Sequence, residues 1–188
     1  MNTVHTLQEY VDALRDAGIL TGCTASEALL GRGVECLTYD TRTLRENALF
    51  ICKGAHFKEE YLRDALSRGA FAYVAEQQHD VDAPCILVSD IRYSLVVLGQ
   101  LFFDHVTDKL TSIGITGTKG KSTTAYYVRY ILNDWLRAEN KPECAILSSI
   151  DNYDGKVSEE SHITTPEVLE LYQHFENAYE SGISHLVM

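Results

Sequence analysis

The chain has 188 residues, of which 45% are hydrophobic and 23% are charged, with 12 glycines and 3 prolines. This composition is typical of a folded globular protein and excludes a disordered or collagen-like polymer. Asp and Glu outnumber Lys and Arg by 27 to 16, which gives a formal net charge of −11. A surface of that sign repels nucleic-acid backbones and anionic lipid. We therefore expect neither a nucleic-acid nor a membrane partner, and an anionic ligand needs a local site.

The N-terminal residues and the cysteines both predict a cytoplasmic protein. Residues 1–5 lack the basic and apolar regions of a secretory signal, and no stretch reaches the roughly 20 apolar residues that span a bilayer. The five cysteines are widely spaced and include no C-x-x-C pair. They are typical of buried thiols in a reducing compartment, and not of a disulfide framework or a zinc site.

The first hundred residues alternate between helix and strand patterns. Thr6 and Glu9 have the spacing of a capping box at a helix start. Apolar residues at helical spacing predict two further helices, around 61–66 and 91–102. Short apolar runs predict strands at 34–38, 48–53, 71–75 and 85–88. These elements indicate a small N-terminal α/β domain, which we assign to residues 1–106.

Residues 107–188 predict a second α/β domain with a mostly parallel, doubly wound sheet. Strands are expected at 110–116, 144–147 and 185–188, with a long helix over 121–137. Because the chain ends within an apolar run, we expect this sheet to be incomplete and the chain to be a fragment of a longer protein.

Several expectations concern packing in this second domain. Helical spacing predicts the buried face of the long helix, namely Val128, Ile131, Leu132 and Trp135. Packing is also the expected role of the tyrosines of that helix, Tyr126, Tyr127 and Tyr130. Thr165, followed by Pro166, is expected to cap the last helix. Glu159 and Glu160 are expected in a solvated loop.

The loop before the long helix carries the strongest chemical signal, Gly-Thr-Lys-Gly-Lys-Ser-Thr over residues 117–123. A polyphosphate needs glycines whose backbone curls around anionic oxygens, and a helix N-terminus aimed at the charge. It also needs a lysine for the outer phosphates and a hydroxyl for Mg²⁺. The sequence therefore predicts a P-loop-type ATP site, although Ile115 stands where the usual spacing places a glycine. The residues expected to contact ATP are Gly117, Thr118, Lys119, Gly120, Lys121, Ser122 and Thr123.

The two polar residues that open the helix have further expected roles. Lys121 and Ser122 are the expected catalytic residues, and Ser122 is the expected Mg²⁺ ligand. The loop alone is also compatible with a solvent-facing turn, with a kinase or other NTPase, and with a non-catalytic nucleotide-binding module.

The same loop resembles that of the Mur ligases, which assemble the cell-wall peptide on a UDP-sugar. Other segments carry the resemblance, and their order along the chain is similar to that in the third-residue-adding members of the family. These segments are Asp40-Thr41-Arg42, 49–54, 65–74 and Thr164-Thr165-Pro166-Glu167. That order favours this branch over other Mur ligases and over the folylpolyglutamate and cyanophycin synthetases, which remain alternatives.

The resemblance implies a UDP-sugar-binding first domain and an ATP-binding second domain. The substrate contacts that it implies are Thr41, Arg42, His56, Phe57, Thr164 and Thr165. It implies a peptidoglycan-synthesis reaction in which ATP phosphorylates the terminal carboxylate of UDP-MurNAc-L-Ala-D-Glu. The amine of diaminopimelate or lysine then attacks the acyl phosphate, and ADP and phosphate are released. We expect no turnover from these 188 residues alone.

Two of these segments also have simpler interpretations. Asp40 and Arg42 are compatible with a polar turn closed by a surface ion pair. Thr164 and Thr165 are compatible with a helix start and no other role.

Overall fold

The computed structural model describes residues 3–54, 57–161 and 163–188, which form two compact units. Unit 1 is Met1–Asp104 and unit 2 is His105–Met188, so the division falls two residues before the expected one. Within the described residues each unit has a five-stranded sheet combined with helices. This is the α/β class predicted from the sequence. No helix in these ranges is both long enough and apolar enough to cross a membrane.

The elements of unit 1 are, in chain order, α1 (Leu7–Asp16), β1 (Leu20–Cys23), α2 (Glu27–Leu30), β2 (Cys36–Thr38), β3 (Ala48–Ile51), α3 (Glu59–Ser67), β4 (Ala70–Ala75), β5 (Cys85–Val88) and α4 (Ile91–Phe102). The strand order is β1-β5-β4-β3-β2. Strands β2 to β5 are parallel, and β1 is antiparallel to β5. The carboxyl ends of four strands therefore meet at one edge of the sheet.

Local sequence determines where α1 and α4 begin. The Thr6 hydroxyl accepts a hydrogen bond from the Glu9 amide, and the Glu9 carboxylate accepts one from the Thr6 amide, which confirms the predicted capping box. Asp90 caps α4 by accepting from the amides of Arg92 and Tyr93. The helices α1 and α4 pack against each other.

Burial along the sheet of unit 1 follows the position of each strand. The strands β3 and β4 are buried at every residue, as expected for parallel strands that are covered on both faces. The edge strand β1 instead alternates between half-buried and exposed residues. It is short and weakly apolar, so its sequence does not predict a strand.

The elements of unit 2 are β6 (Thr111–Ile113), α5 (Lys121–Ala138), β7 (Ala145–Leu147), β8 (Asp151–Tyr153), β9 (Ser158–Glu160), α6 (Val168–Glu180) and β10 (His185–Val187). The strand order is β6-β10-β7-β8-β9. Strands β6, β10 and β7 are parallel, and β8 and β9 extend the sheet as an antiparallel hairpin. The three parallel strands were predicted from the sequence, whereas β8 was not.

The predicted buried face of α5 is wrong in part. Ile131 and Trp135 are 67% and 46% exposed, whereas Ala125 and Leu136 are buried. Ala125 and Leu136 belong to one core cluster with Cys144, Ile146 and Val187, so the helix packs on the face that carries these two residues and not on the face of Ile131. Tyr127 and Tyr130 are also exposed, at 68% and 75%, so packing does not explain them.

Two local expectations in unit 2 are also wrong. The helix α6 begins at Val168 with Glu167 as its N-cap, so Thr165 does not cap it. Glu159 and Glu160 lie in β9 and not in a loop, although their side chains are exposed. Backbone pairing with β8 forms this strand, and such pairing needs no apolar side chains.

A buried carboxylate ties the β8–β9 turn to α6. Asp154 is fully buried and accepts hydrogen bonds from His174 Nδ1 at 2.7 Å and Asn177 Nδ2 at 2.9 Å. It also accepts from the amides of Lys156 and Val157. Burial favours a higher pKa for Asp154, but these hydrogen bonds outweigh burial and lower the pKa. The tie anchors the elements on both sides of the 161–167 segment, which carries Thr164 and Thr165.

Candidate functional site

The glycine-rich loop lies at the carboxyl end of β6 and leads directly into α5. Gly117 and Gly120 have φ angles of +153° and +76°, which L side chains rarely adopt. Gly120 is the N-cap of α5, and no side chain caps the helix there. The amides of the first turn therefore remain available to an anion.

The two polar side chains that open α5 face the loop and the neighbouring strand end. Lys121 Nζ donates a hydrogen bond to the Gly117 carbonyl oxygen at 3.0 Å, so the ammonium lies over the loop. Ser122 Oγ is 3.0 Å from Ser149 Oγ, which follows β7. The helix N-terminus and the ammonium thus place positive charge together.

A cleft of about 550 Å³ opens beside this loop at the carboxyl ends of β6, β7 and β10. Its lining includes Gly117, Lys121, Ser122, Ser149, Thr164 and Thr165. The volume is within the range of small-molecule sites, and ligands of open α/β sheets bind at this edge. The local geometry therefore indicates a site for a polar, anionic ligand.

The expected ATP and substrate residues of unit 2 fall into two groups. Gly117, Lys121, Ser122, Thr164 and Thr165 line the cleft together. Thr118, Lys119 and Gly120 are exposed and are not among the residues that line the cleft. Thr123 lines a neighbouring groove on α5.

Unit 1 has its own cleft, of about 790 Å³, at the carboxyl ends of β3, β4 and β5. Phe57 lines it, and the Phe57 ring lies 5.2 Å from the ring of His79, another lining residue. Thr41 follows β2 at the same edge of the sheet but does not line the cleft. His56 lies outside the described residues.

Arg42 takes part in the polar turn that its sequence also allows. The Asp40 carboxylate accepts from the Arg42 amide at 2.9 Å and from the guanidinium at 2.6 and 3.0 Å. The hydrogen bonds from Arg42 lower the pKa of Asp40. The Arg42 side chain is 87% exposed and does not line the cleft of unit 1.

Several residues that line the two clefts were not predicted from the sequence. In unit 2 these include Ser148 and Ser149, and in unit 1 they include Glu76, His79 and Asp90. All of them follow the carboxyl end of a parallel strand. Polar residues directly after a predicted buried strand were therefore a usable signal.

Comparison with known proteins shows which protein family this chain resembles. Residues 115–188 match the Mur ligase middle domain. The matched segment includes the cleft-lining part of the loop, α5 and Thr164-Thr165, and the resemblance inferred from the sequence is confirmed.

Most of the chain is similar to one branch of the family. It is 41% identical over 167 residues to the UDP-N-acetylmuramoyl-L-alanyl-D-glutamate--L-lysine ligase of Enterococcus faecalis, an alignment that covers 88% of this chain and 32% of that protein. It is 38% identical over 160 residues to the UDP-N-acetylmuramyl-tripeptide synthetase of Lactobacillus delbrueckii, covering 82% of this chain and 30% of the relative. The chain therefore spans about a third of the length of these relatives.

A solved structure shows the same fold. A UDP-N-acetylmuramoyl-L-alanyl-D-glutamate--2,6-diaminopimelate ligase superposes with a TM-score of 0.70 at 18% sequence identity. The match covers 99% of this chain and 36% of that chain. The predicted fold class is confirmed.

Proposed function

We propose that this chain supplies the UDP-sugar-binding and ATP-phosphate-binding parts of an ATP-dependent ligase of peptidoglycan synthesis. One observation carries the proposal: the glycine loop, Lys121, Ser122 and the Thr164-Thr165 pair share a cleft at the carboxyl edge of parallel strands. The ligase adds an amino acid to UDP-MurNAc-L-Ala-D-Glu in the cytoplasm. The name of the Enterococcus faecalis relative supports this substrate and favours lysine over diaminopimelate.

The donor set of the cleft fits a magnesium polyphosphate. The Lys121 ammonium and the uncapped first-turn amides of α5 provide donors for phosphate oxygens. The Ser122 hydroxyl provides one oxygen ligand for Mg²⁺, which usually keeps several waters and phosphate oxygens around it. None of the described residues that line the cleft has a carboxylate side chain, so a side-chain ligand for Mg²⁺ there is a hydroxyl. We assign this role to Ser122 because it follows Lys121 in the first turn of α5.

Positioning and electrostatics are the contribution of these residues to the reaction. ATP, when bound, supplies the phosphoryl group that activates the substrate carboxylate, and Mg²⁺ neutralises charge on it. Lys121 holds the outer phosphates from the loop side. Thr164 and Thr165 are exposed and line the same cleft, where they offer hydroxyls to the substrate.

The role proposed for unit 1 is to hold the uridine end of the substrate. The rings of Phe57 and His79 offer a face on which a uracil stacks. Binding energy gained far from the reacting carboxylate orients that carboxylate, which is how a remote handle assists catalysis. We expect no turnover from this chain alone, because it spans a third of the relatives that it matches.

Calorimetric titration of the 188-residue chain with MgADP and, separately, with UDP tests the proposal. Lys121→Ala should weaken MgADP binding by roughly tenfold or more and leave UDP binding unchanged, because one charge-assisted contact is lost. Phe57→Ala should weaken UDP binding and leave MgADP binding unchanged. Lys141→Ala is the matched control, since it removes the same charge from an exposed residue beyond α5. Failure of the wild type to bind either nucleotide would contradict the proposal.

A further inference from the structure

The helix α5 contacts the turn after β7 at two points that are one helical turn apart. Ser122 Oγ lies 3.0 Å from Ser149 Oγ. Tyr126, four residues later, donates its hydroxyl proton to Asp151 Oδ1. Residues four apart share one face of a helix, so both contacts join the same side of α5 to the same turn.

This turn is internally fixed. The buried Ser148 Oγ accepts from the amides of Ile150 at 3.1 Å and Asp151 at 3.2 Å. It also donates to the Asp151 carbonyl oxygen at 3.0 Å. Ser149 is therefore held within a closed turn, and Asp151 is the point at which that turn is attached to α5.

The Tyr126 hydroxyl is suited to a permanent attachment. Burial, together with the hydrogen bond to Asp151, raises the pKa of Tyr126, so the hydroxyl keeps its proton at neutral pH. The neighbouring Tyr127 is 68% exposed and offers a natural comparison on the same helix.

We propose that Tyr126 is a positioning residue that fixes the direction of the Ser122 hydroxyl through Asp151 and Ser149. The inference rests on the proposed function, in which the Ser122 oxygen binds Mg²⁺. A hydroxyl that offers a lone pair to a cation must direct its proton elsewhere, and Ser149 Oγ, 3.0 Å away, is placed to accept it. The attachment through Tyr126 holds this acceptor in place, so the hydroxyl does not have to be ordered when the cation binds.

The test compares the affinity of the full chain for ADP with Mg²⁺ and with EDTA, measured by calorimetry. Ser149→Ala and Tyr126→Phe should each weaken MgADP binding by roughly 3- to 10-fold, the effect of one lost hydrogen bond. ADP binding in EDTA should change by less than about twofold, because the phosphate donors are intact. Ser149→Thr restores a hydroxyl and should restore the wild-type response to Mg²⁺. Tyr127→Phe, the matched control, should behave as wild type.

The outcomes separate this inference from the proposed function. A wild type whose ADP affinity does not respond to Mg²⁺ overturns the metal role of Ser122 and this inference with it. If Mg²⁺ changes the ADP affinity of the wild type, and changes that of Ser149→Ala and Tyr126→Phe by the same factor, only this inference is overturned. Equal weakening with and without Mg²⁺ also overturns it, since a merely structural role predicts that result. Ser149 is exposed, so Ser149→Ala remains informative if Tyr126→Phe lowers the melting temperature.

Discussion

His5 lies between two carboxylates, with Nδ1 3.0 Å from Glu9 Oε1 and Nε2 3.0 Å from Asp104 Oδ1. Asp104 is the last residue of unit 1 and has a φ angle of +48°. Its other carboxylate oxygen accepts from the Thr3 amide at 2.8 Å. Burial favours a lower pKa for His5, but the hydrogen bonds and charges of Glu9 and Asp104 raise it above its ordinary 6.5. The cluster anchors both ends of unit 1 to each other.

This cluster predicts how the stability of unit 1 depends on pH. The raised pKa of His5 contributes stability that is fully present below pH 6.5 and is lost as pH rises through the folded-state value. The hydrogen bond from His5 is the main cause that lowers the pKa of Glu9 to about 2. Its contribution is therefore present above 4.5, the ordinary value for Glu, and is lost as pH falls towards 2. Stability from this cluster should be greatest between these two losses.

Substitution of His5 checks this pH dependence by urea unfolding at several pH values. His5→Gln should lower the free energy of unfolding at about pH 6 by on the order of 1 to 2 kcal/mol, the scale of a charge-assisted hydrogen bond. It should also flatten the loss of stability above pH 6.5. His105→Gln is the control, because His105 is exposed and is the next residue after Asp104. Identical pH profiles for wild type and His5→Gln would disprove the prediction.

Gly155 predicts a large effect of a single methyl group. A Cβ at this position would lie 2.5 Å from Ser181 Cβ, and the φ angle is +90°. Gly155→Ala should therefore destabilise unit 2 by about 3 kcal/mol or more, since strain and overpacking add. Gly182→Ala is the matched control: its φ is +73° but its nearest contact is at 3.9 Å, so about 1 kcal/mol of strain is expected. Equal losses in thermal unfolding would refute the argument.

Asp154 predicts a large loss when its carboxylate is removed. Asp154→Ala leaves His174 and Asn177, which are buried, without their acceptor. We expect a loss of about 2 to 6 kcal/mol in the free energy of unfolding, because two buried side-chain donors are left unsatisfied at roughly 1 to 3 kcal/mol each. Asp134→Ala, at an exposed position of α5, should have little effect in the same urea titration. A loss below about 1 kcal/mol for Asp154→Ala would show that the tie is weak.

The orientation of α5 is tested by two truncations to alanine. Leu136 is fully buried, so Leu136→Ala should destabilise unit 2 by about 2 to 5 kcal/mol. Ile131 is 67% exposed, so Ile131→Ala should change stability by less than about 0.5 kcal/mol. A larger loss of stability for Ile131→Ala than for Leu136→Ala in chemical unfolding would show that the face predicted from the sequence is the buried one.

Elements with strong local signals were predictable from the sequence. The capping box of α1, the bounds of β5 and α4, and the strand–loop–helix context of the glycine loop all appear where expected. In each case, residues near in sequence determine the structure, through a cap, an apolar run or a required backbone angle.

Features created by distant contacts were not predictable. The strand β8 reads Asp-Asn-Tyr, and it forms because β7 and β9 pair with its backbone on both sides. The packed face of α5 carries Ala125 and Leu136, and apolar spacing alone does not distinguish it from the face that carries Ile131. Ser149 is part of the cleft because the β7 strand ends beside β10, and its partner Ser122 is 27 residues away.

The uncapped start of α5 has a consequence for local dynamics. The N-cap residues of α1 and α4 bond to the first amides of those helices through their side chains, whereas the N-cap of α5 is Gly120, which has no side chain. A helix end without that bond frays more readily, so its backbone protons should exchange early with deuterium. An anion bound at this end accepts hydrogen bonds from the first amides of α5 in place of a cap. Anion binding and ordering of the first turn are therefore thermodynamically linked.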